Sequence, residues 1–364
     1  MKRYKIMIPA IIALIIASIL VAGCTTNTNT GTITANPSGA PAQQTVTVID
    51  DRGMTITVPY PCKRVVFLVE NAMNTMYAVG GTDDIVGIGD IWMPQFKEDF
   101  FRAVDPDYNS TLRISSSNSG VDLESLAKAK PDLVVLWSAD WDDKDTKAIE
   151  ENLHVPVYGV YLTNFSDIYK QHRDFAKIIG NEQRGEQVLA TMNATMKKVT
   201  DVTSAMPESE KPTVYWMWGD IYGTAGLHSS TNDMINAAGG VNVVSKWNND
   251  TKYDEHPVLT MEAIQALNPD VIYMWYNPNL DPQDLATKEE YKAWRNINAV
   301  KNSRVYELDN PFLDDSMTSR LPLVVMKIAK NINPEKFASL DLNKEYDAFF
   351  VSVYGVHYPG YAKA

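Results

Sequence analysis

Residues 122–137 read DLESLAKAKPDLVVLW and residues 260–275 read TMEAIQALNPDVIYMW. In each, a residue able to cap a helix, Asp122 or Thr260, precedes one or two helical turns. A proline stops them, and an apolar run of strand length follows. The glutamate stands seven residues before the proline and thirteen before the closing tryptophan both times: Glu124, Pro131, Trp137, then Glu262, Pro269, Trp275. The elements around the two copies also match in order, down to the helix endings AVGG (78–81) and NAAGG (236–240). The repetition predicts two lobes of like topology.

Working outward, the first lobe is expected over 45–165. TVTVI and TITVP flank a turn at Asp51–Gly53, which fits a small hairpin, and RVVFLV (64–69) is a strand buried on both faces. Helix-like NAMNTMYAVGG, strand-like DIVGIGD, the first copy of the phrase and VPVYGV (155–160) then alternate. Such alternation argues for a parallel, helix-covered sheet. Apolar residues recur at three- and four-residue intervals across 166–205, with Ser166 as a cap and a break at Gly180. This predicts one long bridging helix or two abutting ones. A second α/β series, 206–364, contains PTVYWMW, SSTNDMINAAGG, the second copy, RVYEL and LPLVVMKIAKNI. The fold class is therefore α/β: two Rossmann-like lobes with parallel sheets, joined by a long helix.

The N-terminus addresses the protein. Lys2, Arg3 and Lys5 precede the apolar run IMIPAIIALIIASILVAG, which reads as a secretory signal peptide over 1–23; a plain membrane anchor is the other reading of such a run. Its end, LVAGC, resembles the lipobox of prokaryotic lipoproteins, and that resemblance implies lipidation at Cys24 and attachment to a membrane surface. Residues 24–44, rich in Thr, Asn, Gly, Pro and Ser, are expected to be a flexible tether. The chain has two cysteines, so with Cys24 lipidated Cys62 has no disulfide partner. A net charge of −12 without a basic stripe argues against nucleic acid as a partner.

Ligands of open α/β sheets bind beyond the carboxyl ends of the strands. Trp137 and Trp275 stand there, while Trp216 and Tyr273, inside strands, are expected in the core. Trp92, Trp141, Trp218, Tyr222 and Tyr276 flank Asp, Gly or Pro in loops and are expected to line a cleft suited to a bulky, partly apolar small molecule. Glu124 and Glu262 occupy the second helical position, where the helix dipole favours a carboxylate. No G-x-S-x-G, P-loop or G-x-G-x-x-G occurs, and the five histidines show no metal-ligand spacing. An enzyme, or a sensor or adhesion protein on the same scaffold, remains the alternative class.

From about Thr45 to Gly355 the chain resembles the substrate-binding proteins of ABC importers for iron–siderophore complexes, haem and cobalamin. The likeness rests on IDDRGMTITVPYPCKRVVFL (49–68), the two Pro-Asp phrases, AAGGVNVV (237–244) and SRLPLVVMKIAKNINPEKF (319–337). It implies two lobes bridged by one long helix, a monomer and a metal-chelate ligand held between the lobes. It further implies an ABC permease and ATPase as partners, no catalytic cofactor, and Glu124 and Glu262 as the surface carboxylates that meet permease arginines. Where relatives often show a Ser-Pro-Ser-like turn, this chain has VENAMN, which places Glu70 and Asn71 at the cleft edge. Asp90, Asp140, Asp220, Asp309, Asp314 and Asp315 also fall in expected cleft loops, with Arg320 the clearest basic residue and His228 either a reach to a bound metal or simply solvated. That balance favours a neutral or cationic ligand, such as a corrinoid or an uncharged chelate.

Overall fold

In the computed structural model, residues 43–117, 120–140 and 143–359 are described, and all of them fall in one compact unit. Alternating β-branched residues make an opening antiparallel hairpin of β1 (Thr45–Ile49) and β2 (Thr55–Pro59). Its turn needs Gly53, whose φ of +79° is left-handed. The Asp50 carboxylate accepts from the amides of Arg52, Met54 and Gly159, and pairs with the Arg52 guanidinium at 2.7 Å. Arg52 also donates to Thr146 and to the Val157 carbonyl, so this buried pair fastens the hairpin to the first lobe.

The first lobe is a five-stranded parallel sheet. It comprises β3 (Val65–Phe67), β4 (Ile85–Ile88), β5 (Leu112–Arg113), β8 (Leu133–Trp137) and β9 (Val157–Val160), in the order β5-β4-β3-β8-β9. A two-stranded ribbon, β6 (Ser116–Ser117) with β7 (Gly120–Val121), lies between β5 and β8 in the chain. Helices α1 (Glu70–Ala78), α2 (Pro94–Val104), α3 (Leu123–Ala129) and α4 (Lys144–Leu153) connect the strands. The runs of Val, Leu and Phe in β3 and β8 are buried on both faces, as a helix-covered parallel sheet requires. Cys62 is a free thiol in this core, and burial pushes it up to about 12, which leaves it unreactive.

The stretch expected as one long helix or two abutting ones is two, α5 (Phe165–Ile179) and α6 (Glu182–Thr203). Gly180, at φ +75°, ends the first. The cap of α5 is Asn164, not Ser166: Asn164 accepts from the Asp167 amide while Asp167 accepts from the Asn164 amide, a closed capping box. The helices touch where Gly185 meets Ala176; a Cβ added at Gly185 would lie 2.5 Å from that methyl carbon. The 22-residue α6, about 33 Å long at the usual helical rise, then leads into the second lobe.

That lobe holds a four-stranded parallel sheet, β10 (Thr213–Met217), β11 (Val241–Asn242), β12 (Val271–Trp275) and β13 (Val305–Leu308), in the order β11-β10-β12-β13. Helices α7 (Ser230–Ala237) and α8 (Met261–Leu267), the single turns α9 (Asp284–Thr287) and α10 (Asn298–Lys301), and the longer α11 (Leu321–Ile332) and α12 (Leu342–Tyr354) complete it. Trp216 and Tyr273 are fully buried and stack at 5.6 Å with 8° between planes.

The doubled phrase is the same unit in both lobes. α3 and α8 have seven residues each, Asp122 and Thr260 cap them, and left-handed Lys130 and Asn268 end them before the proline. β8 then adds to β3 on the side away from β4, and β12 adds to β10 on the side away from β11.

The lobes are joined by a buried seam as well as by α6. Phe100 of α2 packs 4.7 Å from Phe312 and 4.9 Å from Tyr354. His172 of α5 and Ser319 share a 2.6 Å hydrogen bond. The His172 Nδ1 faces the Ile168 carbonyl at 2.7 Å, so that nitrogen carries the proton and Nε2 accepts from the Ser319 hydroxyl. Arg320 is fully buried: it donates to Asn74 and Tyr354 and lies 4.2 Å over the Phe312 ring.

Candidate functional site

Both sheets reverse strand order beside their first strand, and both present those carboxyl edges to one cavity of about 240 Å³. From the first lobe come Val69, Glu70 and Asn71 after β3, Trp92 after β4, and Lys97 of α2. The second lobe adds Trp218 after β10, Trp275 at the end of β12, and Pro311, Asp315, Ser316 and Met317 after β13.

Three tryptophans give the cavity its apolar walls. The Trp218 and Trp275 rings lie 5.8 Å apart at 49°, and His256 meets Trp218 edge-on at 5.2 Å. Opposite them, the Lys97 ammonium sits 4.8 Å over the Trp92 ring and 2.5 Å from Glu70 Oε1, with only 3 % of its side chain exposed. Asp315 accepts from the Met317 amide, and Arg320 Nη2 is 3.8 Å away, beyond hydrogen-bond reach. Burial raises the Asp315 carboxyl above its usual range, against the pull of Arg320 and Lys97. Asn71 Oδ1 and Trp218 Nε1 are buried without a hydrogen-bond partner among the described residues, so a ligand group that reached either would offset its desolvation.

Of the residues expected at the site, Glu70, Asn71, Trp92, Trp218, Trp275 and Asp315 line this cavity. Arg320 does not: its guanidinium is a buried tie between the lobes, and Lys97 is the basic residue of the wall. Asp314 is also buried, held with Asp309 on Lys327. Trp137 stands edge-on to Tyr161 at 5.9 Å, Tyr276 to Phe96 at 5.6 Å, and Tyr222 lies 6.4 Å from Trp294, all outside the cavity lining. His228 packs on Tyr253, and Asp220 folds its own loop by accepting from the amides of Tyr222 and Gly223. Asp90 and Asp140 are exposed and lie outside that lining as well. Trp141 and Cys24 lie outside the described residues. Val69, Lys97, Pro311, Ser316 and Met317 also line the cavity and are not marked by the sequence. The pattern PQFKEDFF marks α2 as amphipathic, but nothing in it says which lobe its lysine faces.

Glu124 and Glu262 occupy the second position of α3 and α8, and both are exposed. Glu124 pairs with Lys128 at 3.0 Å, whereas its own amide and the Thr260 hydroxyl hold the Glu262 carboxyl below its usual value. Among the described residues no group of three or more His, Cys, Asp or Glu could hold a metal ion, and no helix is long and apolar enough to cross a membrane.

Two α/β lobes with an aromatic cavity at facing strand ends define a two-lobed ligand-binding protein. Residues 65–312 match the family described as periplasmic binding protein, and the chain belongs to it. It is similar to an uncharacterized ABC transporter substrate-binding lipoprotein of Bacillus subtilis, YvrC, at 25% identity over 89% of this chain and 96% of the relative. The Fe(3+)-citrate-binding protein YfmC of the same organism is 26% identical over 85% of this chain and 91% of its own. Among solved structures, a periplasmic solute binding protein from Veillonella parvula superposes with a TM-score of 0.68 at 25% identity, covering 86% of this chain and 94% of that one.

Proposed function

We propose that this protein is the receptor of an ABC importer: exported, tethered through lipid on Cys24, capturing a metal chelate between its lobes and delivering it to the permease. The observation that carries the reading is the tryptophan-walled cavity at the carboxyl edges of both sheets, where the ligand of such a scaffold is expected. Family membership and the relatives' ABC-transporter names support it.

Delivery is assigned to Glu124 and Glu262. They stand at equivalent places on the two lobes, at the starts of the units whose strands end in Trp137 and Trp275. Two exposed carboxylates received by two basic pockets would fix the orientation of docking.

Intrinsic tryptophan fluorescence of the mature protein, titrated with cyanocobalamin, haemin and a ferric hydroxamate, tests the reading. Saturable quenching by at least one is expected; no change with any of them removes the binding function. Cys24→Ala should release the protein from membranes, and unchanged anchoring and processing would contradict the lipid tether.

A further inference from the structure

The cavity wall carries two carboxylates and one ammonium, but the ammonium is spent. Lys97 is committed to Glu70 and to the face of Trp92 and is almost wholly buried. Arg320, the next cation, lies under the wall and is fixed to Asn74 and Tyr354. Asp315 is different: 14 % of its side chain is exposed, it accepts the Met317 amide, and it stops 3.8 Å short of Arg320. Glu70, about as exposed at 15 %, already gives Oε1 to Lys97, whereas Asp315 is the carboxylate of this wall with no cation within hydrogen-bond reach.

The surroundings point the same way. Tryptophan faces attract cations, and Trp92 already holds one. Trp218 and Trp275 offer the same aromatic surface on the opposite wall. At about 240 Å³ the cavity falls below the roughly 300–1,000 Å³ that enclose a drug-sized ligand, so it takes part of a chelate and not the whole. The net charge of −12 would repel an anionic complex and attract a cationic one.

Building on the chelate reading above, we propose that the ligand carries a positively charged arm of the alkylammonium kind. The arm enters this cavity, pairs with Asp315 and lies against Trp218 and Trp275, with the body of the chelate outside.

Two matched pairs of probes test this by tryptophan fluorescence at low salt. Ferrioxamine B, a ferric tris-hydroxamate with one free ammonium arm, is compared with its N-acetylated, uncharged form. Pentylammonium is compared with pentanol at millimolar concentration. The charged member of each pair should bind about tenfold more tightly or better, and Asp315→Asn should bring the two members of each pair to equal affinity. An Asp315→Asn protein with an unaltered urea midpoint rules out misfolding, and Trp218→Phe, which keeps an aromatic face, should weaken the preference without removing it. Equal affinity within both pairs, or a preference that survives Asp315→Asn, overturns the proposal and leaves the chelate reading standing. Asp315-dependent pentylammonium binding with no response to any chelate instead overturns the chelate reading and keeps the cation site.

Discussion

Arg320 has the side chain expected of a ligand contact and the position of a structural tie. Two of its donors bond to Asn74 and Tyr354, while Nε and Nη2 find no acceptor among the described residues. Removing it strips two buried hydrogen bonds and leaves Asp315 without its neighbouring cation. Arg320→Ala should therefore cost about 3–5 kcal/mol in urea unfolding, and Arg320→Lys should recover little of it. His172 makes a second residue-scale case. Burial pushes its pKa down to about 4 from the ordinary 6.5, so it stays neutral in the fold while the unfolded chain takes up a proton. Stability from this group is complete above about pH 6.5 and falls as the pH drops towards 4, by on the order of 3 kcal/mol in all. His172→Gln should flatten that part of the pH–stability curve, and an unchanged slope would remove the assignment. Neither role was legible in the sequence, because burial between lobes depends on contacts more than a hundred residues apart in the chain.

Elements were more legible, since caps and periodicity are local. The Pro-Asp phrase gave helix, stop and strand in both lobes, and Asp122 and Thr260 cap as their types require. Gly180 broke the long helical pattern where glycine can take a positive φ. The start of α5 was misplaced because Asn164 and Ser166 are both good caps, and only the Asn164–Asp167 pairing decides between them. Contact between α5 and α6 rests on Gly185. An alanine there would gain about 1 kcal/mol of helix propensity, but its methyl would sit 2.5 Å from Ala176, well inside carbon contact distance. The clash prevails, and Gly185→Ala should destabilise by about 1–3 kcal/mol as measured by chemical denaturation. A neutral or stabilising result would mean that the two helices part freely.

At the scale of the whole molecule, the proposed docking handles, Glu124 and Glu262, which stand at matching places on the two lobes, predict a separable defect. Glu124→Lys with Glu262→Lys should cut uptake by about tenfold or more while the purified protein binds its ligand as before. Uptake at the normal rate would sink the docking role. The handles are unequal, since Lys128 already engages Glu124; Glu262→Lys alone should therefore be the more damaging single change. The two-lobed plan was readable because it is written twice, but the wall of the cavity was readable only in part: its tryptophans, Glu70, Asn71 and Asp315 were expected, and Lys97 was not. The wall combines loops following β3, β4, β10 and β13 with the end of β12 and one lysine from α2, and no local pattern marks such a convergence.

The seam has a consequence for anyone recombining relatives of this protein. Asp315, Ser316 and Met317 follow the last strand of the second lobe, yet Asn71, Asn74 and His172 of the first lobe bond to Met317, Arg320 and Ser319 in the same stretch. A crossover placed within α6, natural as it looks, would pair one parent's wall with another parent's anchors. The inheritable module for specificity is discontinuous: residues 310–320 travel with α1, α2 and the His172 turn of α5, and chimeras that respect this grouping should fold and bind where whole-lobe exchanges fail.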